Sequence, residues 1–450
     1  IVKVTDPQAH RSLSTSSSHE ILRVFKHGNL LEMRLDKAEV RELMDSDDVL
    51  NIEEDQPVYL SPTYPSSPGD MDASIGENPA EVPYGIQMVQ ALDVADDEVG
   101  SSGITVCIAD TGYDILQNDL PQGSKVDGQS FIDGESWSVD GHGHGTHVAG
   151  TIAALEDGLG VLGVVRNGEM NLLIAKVLSD SGSGSTAGVL AGVEWCQENG
   201  ADVINMSLGG GGFNQIHSDF YREIYENDGV LIVAAAGNSG PGQVGYPASY
   251  DSVLSVGAVD SNKNIAYFSQ TNDQVELVAP GVAVNSTQPN NSYVSWDGTS
   301  MACPHVAGVA ALVWSHFPHL TAMEIRNVLR VTAENLGNDE GKDPVFGYGL
   351  VRAKDAFDAL HPPTPAPVPT PVPTPNPTEL PTGECDWGVY LTVILTTDNF
   401  GKEVSWNVAE DGLTILSSDG ETYGDNQQYV SSTCVPAECD GNYTFSIFDY

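Results

Sequence analysis

Between residues 81 and 360, short runs of almost unbroken apolar residues alternate with longer stretches of helical periodicity. The runs are 104–109, 172–177, 203–206, 230–235 and 253–256. A strand that is apolar on both faces needs cover on both. The helical stretches 146–154, 187–199, 220–227, 300–317 and 321–331 can supply it. The pattern predicts an α/β domain built on a doubly wound, mainly parallel sheet. Ligand sites in such sheets gather at the C-terminal ends of strands, where the strand order reverses.

Composition divides the rest of the chain. Residues 1–60 are expected to form a small α+β domain, with strands near 30–35 and 49–53 and a helix over 36–44 that Asp36 caps. Residues 61–80, rich in Pro, Ser, Gly and Asp, read as a connector. Residues 361–382 repeat Pro and Thr and form an extended spacer, because Pro cannot donate to a ladder. Residues 383–450 carry alternating strands at 389–396, 403–408 and 443–448 and read as a small all-β module. The first residue is Ile1 and the last run, 445–450, looks like a strand cut short, so we read the chain as a fragment or a processed product.

Charge excludes some functions. Lys plus Arg number 18 against 63 Asp plus Glu, a net charge of −45. The three regions 1–60, 61–360 and 361–450 carry −5, −28 and −12, so no part offers a basic docking face. Nucleic acid and anionic lipid are repelled. No apolar run approaches the roughly 18 residues that span a bilayer. We expect a monomer.

Four motifs in the central region carry chemistry. Ala109-Asp110-Thr111-Gly112 closes an apolar strand. Gly143-His144-Gly145-Thr146-His147-Val148-Ala149-Gly150 is a Gly-rich turn entering a helix. Ala236-Gly237-Asn238-Ser239-Gly240 follows a buried strand, and Gly298-Thr299-Ser300-Met301-Ala302 opens an apolar helix. Singly, each has a plain structural reading as a cap or a turn. Together they supply a nucleophile, Ser300, a base, His144, and a carboxylate, Asp110, to hold the imidazole. Asn238 can donate to a developing oxyanion beside the Ser300 N–H.

These motifs, in the order Asp, His, Asn, Ser, resemble those of the subtilisin-like serine proteases, from Val82-Pro83-Tyr84-Gly85 to about residue 360. The resemblance implies a serine endopeptidase that cleaves protein and peptide substrates through an acyl-enzyme. It assigns the base to His144 and leaves His142 and His147 structural. It implies that Ser207, Leu208 and Gly209 pair with an extended substrate. Ala235, Ala236, Gly237 and Gly245 would line the pocket for the residue before the cleaved bond. No acid falls at the pocket base, so the expected preference is broad, toward apolar or aromatic residues. It further implies a structural calcium ion held by the side chains of Asp119 and Asp157 and the carbonyls of Leu155, Leu159 and Val161, with no organic cofactor. Hard oxygen donors are what calcium takes. One departure stands out, since Ala80 occupies the position where some relatives have a Gln ligand.

Residues 1–60 resemble the propeptide inhibitor of the same family, which implies a self-processing zymogen cut between about Gln56 and Tyr84. Cys107, Cys196 and Cys303 fall in predicted core elements and are expected to behave as small apolar side chains. Cys385, Cys434 and Cys439 lie in the β module and suggest one disulfide plus a thiol. Sequons at Asn285, Asn290 and Asn442 agree with secretion. A different reading makes the protease-like domain an inert scaffold for adhesion through the β module. Another makes the chain an acidic cation-binding surface protein.

Overall fold

A computed structural model describes residues 1–14, 19–60, 81–96, 103–337 and 341–361, together with the backbone of 64–65, 388–396, 404–410, 413–417, 428–436 and 443–449. The chain divides into two compact units, 1–364 and 365–450.

The core of the first unit is a seven-stranded sheet. Its strands are β7 (Thr105–Asp110), β8 (Val126–Ser130), β9 (Asn171–Lys176), β11 (Val203–Met206), β12 (Leu231–Ala235), β13 (Val253–Val259) and β14 (Val275–Pro280). They lie in the order β14-β13-β12-β11-β7-β9-β8, and every neighbouring pair is parallel. All residues of β7, β11, β12, β13 and β14 are buried, which is why the first four read as near-continuous apolar runs; β14, interrupted by Glu276, was overlooked. The order reverses at β7: the chain goes first to the edge strand β8, comes back to β9 beside β7, then continues on the other side of β7 through β11 to β14. Asp110 is the last residue of that switch strand.

Helices cover both faces: α4 (His144–Ala153), α5 (Thr186–Glu198), α6 (Gln215–Glu226), α7 (Thr299–His316), α8 (Ala322–Val331) and α9 (Ala353–Leu360). From Thr299 to Ser315 every residue of α7 is buried, so this helix is apolar on all sides and has no outward face to pattern. Pro304 inside it cannot donate to the carbonyl of Ser300. The Ser207 hydroxyl takes over that carbonyl at 2.9 Å, which ties α7 to the segment after β11.

The N-terminal domain contains β1 (Val2–Val4), α1 (Pro7–Ser14), β2 (Glu20–Val24), β3 (Leu30–Arg34), α2 (Lys37–Met44) and β4 (Val49–Ile52). Its antiparallel sheet runs β2-β3-β1-β4 around Val2, Val4, Ala9 and Leu31. Asp36 and Glu39 form a reciprocal capping box on α2. The sequence reading overlooked β1, α1 and β2, which are short, and β8, in which only Val126 is apolar.

One expectation is corrected. Cys107, on β7, and Cys196, on α5, are joined by a disulfide with Cα atoms 5.9 Å apart. They are not independent apolar side chains. Strand and helix lie 89 residues apart in sequence, so only their packing brings the two sulfurs together. Cys303 is a buried thiol, as expected, and burial pushes its pKa up.

The second unit has an antiparallel pair, β17 (Gly388–Thr396) with β20 (Gln428–Pro436). It also has a three-stranded antiparallel sheet of β18 (Val404–Glu410), β19 (Leu413–Ser417) and β21 (Tyr443–Asp449). The Cys385, Cys434 and Cys439 side chains, and the Asn442 sequon, lie outside the described residues.

Candidate active site

Asp110 emerges from β7 fully buried, and its Oδ1 accepts from Nδ1 of His144 at 2.8 Å and from the Thr111 N–H at 2.7 Å. That contact leaves Nε2 of His144 as the outward ring nitrogen. It is buried and has no hydrogen-bond partner among the described residues. The helix that starts at His144 can approach β7 closely because of glycine. A Cβ on Gly145 would stand 2.2 Å from the Gly112 carbonyl oxygen.

Sequence reasoning overlooked the residue that fixes this corner. Asp140 is buried, and its Oδ1 accepts from the Gly143 N–H and the Thr111 hydroxyl, both at 2.8 Å. Its Oδ2 accepts from the Thr146 N–H at 2.8 Å and the Thr146 hydroxyl at 2.7 Å. One carboxylate thus closes the loop onto the first turn of α4 and onto the strand end beside Asp110. An acid a few residues ahead of the Gly-rich helix start was the available signal. Lys176, at the end of β9, is buried too, and its ammonium donates to the Thr111 carbonyl, to Asp180 at 2.8 Å and to Glu135 at 3.0 Å.

Ser300 is the second residue of α7. Its hydroxyl donates to the Ser207 carbonyl at 3.2 Å rather than to His144. Catalytic hydrogen bonds are often loose or misaligned before a substrate is seated. Asn238 reaches the same helix end. Its Oδ1 accepts from the Thr299 N–H at 2.9 Å and the Thr299 hydroxyl at 2.8 Å. A backbone N–H can only donate, so the oxygen must face Thr299 and Nδ2 must lie on the other side of the amide.

β15 (Val284–Gln288) and β16 (Ser292–Asp297) form a hairpin that leads into Gly298 and Ser300. Trp296, on β16, stacks on His147 at 4.8 Å and on His144 at 6.1 Å between ring centroids. Nε2 of His147 contacts the carbonyls of Val284 and Val294, both at 3.1 Å. Burial lowers its pKa to about 3, so this ring is a neutral packing element. His142 is half-buried, and burial lowers its pKa as well.

The edge expected to pair with substrate is already paired. β5 (Pro57–Tyr59), the tail of the N-terminal domain, lies antiparallel to β10 (Ser183–Ser185). On its other side Tyr59 exchanges backbone hydrogen bonds with Gly209, at 3.1 and 3.2 Å. The Leu60 N–H donates to the Gly182 carbonyl at 3.0 Å. The described chain resumes as β6 (Tyr64–Pro65), paired with Trp296 and Asp297, next to the start of α7. Val58 is buried and projects into a cavity of about 350 Å³ lined by Leu190, Leu208, Phe213, Tyr246 and Tyr250 among others.

Ala235 and Ala236 are buried and lead to Gly237, whose φ of +112° requires glycine. Gln270, buried and unmentioned by the sequence reading, packs against both Gly237 and Gly245. A Cβ on Gly237 would stand 1.5 Å from its Oε1, and one on Gly245 3.3 Å.

Comparison with known proteins decides the family. Residues 101–349 match the model of the Subtilase family. The chain belongs to the subtilase family. It is 48% identical over 279 residues to subtilisin DY of Bacillus licheniformis, covering 61% of this chain and 98% of that protein. It is 42% identical over 337 residues to alkaline elastase YaB of Bacillus sp. (strain YaB), covering 75% of this chain and 82% of that one. Among solved structures it is similar to the psychrophilic subtilisin-like protease Apa1 of Pseudoalteromonas sp. AS-11. The TM-score is 0.57 at 28% identity, covering 62% of this chain and 98% of that one. The subtilase domain of this chain is that of a subtilisin-like serine endopeptidase.

The subtilase calcium position can be tested on this chain's donors. Asp119 is 2% exposed, its Oδ2 accepts from the Val161 N–H at 2.9 Å, and its Oδ1 has no hydrogen-bond partner. Burial raises its pKa to about 7, with the Asp157 carboxylate adding to the shift. An orphaned buried carboxylate beside a second acid suits a hard cation. Asp157 and Leu159 are exposed in the loop that also carries half-buried Leu155 and buried Val161, and the Asp157 Oδ1 accepts from the Leu159 N–H at 2.9 Å. The residues present fit calcium. Among the described residues no group of three or more His, Cys, Asp or Glu is arranged to hold a metal ion by side chains alone.

Proposed function

We propose that this subtilase is a secreted endopeptidase made as a self-processing zymogen, with Ser300 as nucleophile, His144 as base, Asp110 as its orienter and Asn238 as oxyanion donor. The buried Asp110–His144 hydrogen bond at the switch strand carries the reading. With Nδ1 engaged, Nε2 takes the Ser300 proton as Oγ attacks the scissile carbonyl, and later returns it to the leaving amine. The Asn238 amide, its oxygen held by Thr299, presents Nδ2 beside the Ser300 N–H to the oxyanion. Preorganised donors of this kind need no rearrangement as charge develops.

The position of the N-terminal tail supports the zymogen reading. It fills the backbone edges at Gly182, Gly209 and β10 as an added strand, which keeps substrate out. The chain pairs with the peptidase up to Leu60 and again from Tyr64, on the strand that leads to Ser300. We therefore place the bond cut during maturation between Leu60 and Tyr64, inside the range expected from sequence. Ser207, Leu208 and Gly209 then serve the residues before the cleaved bond. Ala235, Ala236, Gly237 and Gly245, with Gln270 behind them, form the pocket next to it. The aromatic lining around Val58 supports a preference for apolar side chains.

Calcium, when bound, supplies structural cross-linking charge rather than chemistry, held by Asp119, Asp157 and the carbonyls of Leu155, Leu159 and Val161. The disulfide between Cys107 and Cys196 supports export to an oxidising compartment. No helix among the described residues is long and apolar enough to cross a membrane.

Casein and peptide hydrolysis by the chain and by Ser300→Ala, with and without calcium, tests the reading. We expect activity that the substitution abolishes, and a Ser300→Ala chain that stays joined between its N-terminal domain and the peptidase. Equal absence of activity in a folded, propeptide-free wild type would overturn it.

A further inference from the structure

The N-terminal domain grips the peptidase at a second place, through the turn between β2 and β3. That turn presents Lys26, His27 and Gly28 to α5 and to the end of α6. The Lys26 and His27 N–H groups donate to Glu194 Oε1 at 2.8 and 2.9 Å, and the Gly28 N–H donates to Glu223 Oε2 at 2.8 Å. The His27 ring enters the space between them. Its Nδ1 lies 2.9 Å from Glu194 Oε1 and its Nε2 lies 2.9 Å from Asp228 Oδ2. The ring sits edge-on to Phe220 at 6.0 Å, and its side chain is only 12% exposed.

A neutral imidazole has one N–H and one lone pair. Between two carboxylates, one of its nitrogens would face an acceptor with an acceptor. Only the imidazolium donates to both. The charged neighbours agree. Glu194, Glu223 and Asp228 face the ring from the peptidase, while Lys26, the adjacent cation, is turned away to pair with Glu198. Further along the interface, Lys3 pairs with Asp219, which also holds Arg222. Arg23 donates to the Ala187 carbonyl at 3.1 Å and pairs with Glu32.

We propose that His27 is a proton-dependent latch, held as imidazolium in the acidic cup of Glu194, Glu223 and Asp228 and released from it as a neutral ring. The proposal rests on the reading of residues 1–60 as an inhibitor retained after cleavage. The hydrogen bond to Glu194, more than any other contact, holds the His27 pKa above its ordinary value against the pull of burial. The sign follows. The latch is at full strength below the pKa of a free imidazole, about 6.5, and is lost as pH rises through the higher value in the complex. Release of the N-terminal domain is therefore favoured on the alkaline side.

The test uses the full chain carrying Ser300→Ala, with the site of a specific protease placed in residues 66–80. Cutting there leaves the N-terminal domain held by non-covalent contacts alone. Its dissociation is followed from about pH 6 to about pH 9, spanning the ordinary imidazole range. We expect the dissociation constant to rise about tenfold across that range, the size of one charge-assisted hydrogen bond. His27→Gln should bind about tenfold more weakly at the acid end and lose the rise. Asp228→Asn flattens the same profile from the peptidase side, where folding of the N-terminal domain is not in question. Identical pH dependence in wild type and His27→Gln would overturn the latch. Inhibition of peptide hydrolysis, measured on the cut chain with Ser300 intact, separates the two readings. A domain that leaves with the His27 profile yet never inhibits sinks the inhibitor reading alone. A domain that inhibits without that profile sinks the latch alone.

Discussion

Opening the Cys107–Cys196 disulfide should cost the peptidase a large part of its stability. The bridge closes a segment of 89 residues and joins the strand that carries Asp110 to the helix that carries Glu194. In the chain-entropy account, a cross-link over that length removes about 15.5 cal/mol/K from the unfolded ensemble, or about 4.6 kcal/mol at room temperature. Both cysteines are fully buried, so replacement by Ala adds a small cavity cost and no unsatisfied polar group. For a domain of this size, each kcal/mol moves the midpoint by about 2 °C, so the double variant Cys107→Ala/Cys196→Ala should melt about 10 °C lower. The background should be Ser300→Ala, because self-digestion would turn the melt into a rate measurement. Circular dichroism and scanning calorimetry then read the midpoint, with reductant added to the parent chain as a second route to the open form. A loss below about 2 °C, or a parent that keeps its midpoint with its thiols fully reduced, refutes the entropic argument.

Other consequences follow from the site. Asp140→Asn replaces an acceptor of four hydrogen bonds with a group that can accept at only one of its two atoms, so kcat should fall about a hundredfold with KM little changed, as steady-state kinetics will show. Asn238→Ala should lower kcat by about two to three orders of magnitude while Ser300 still labels with an organophosphonate. Asp119 gives a pH signature. Its folded pKa of about 7 lies above the ordinary 3.8, so without metal the stability it contributes is present below pH 3.8 and lost as pH rises through about 7. Melts in a chelator should fall across that window and calcium should abolish the fall; parallel profiles with and without calcium would exclude Asp119 as a ligand.

The central architecture was legible because its signal is local. Strands buried on both faces must be apolar throughout, so β7, β11, β12 and β13 announced themselves within a residue or a few of their ends. The site motifs were legible for a similar reason. His144 and Asn238 sit beside glycine and Ser300 two residues after Gly298, where the chain turns at the end of an element. β8 was missed because one of its faces is wet, and β1 because three residues carry no period. Asp140 was missed because an acid in a Gly-rich loop looks like any turn residue. Three of its four hydrogen bonds come from Gly143 and Thr146 nearby in the chain, and the fourth exists only once Thr111, from another element, has been folded beside it.

Residue order alone thus determined the alternation of strand and helix and the place where that alternation brings chemistry to strand ends. These depend on which side chains are apolar and where the backbone must bend, and both are properties of neighbours. Tertiary packing alone decided the rest. It chose which cysteines meet, which oxygen of Asp110 holds His144, where Ser300 points at rest, and which acids surround His27. Each is a contact between segments tens to hundreds of residues apart. Such distances are set by the folding of everything between them.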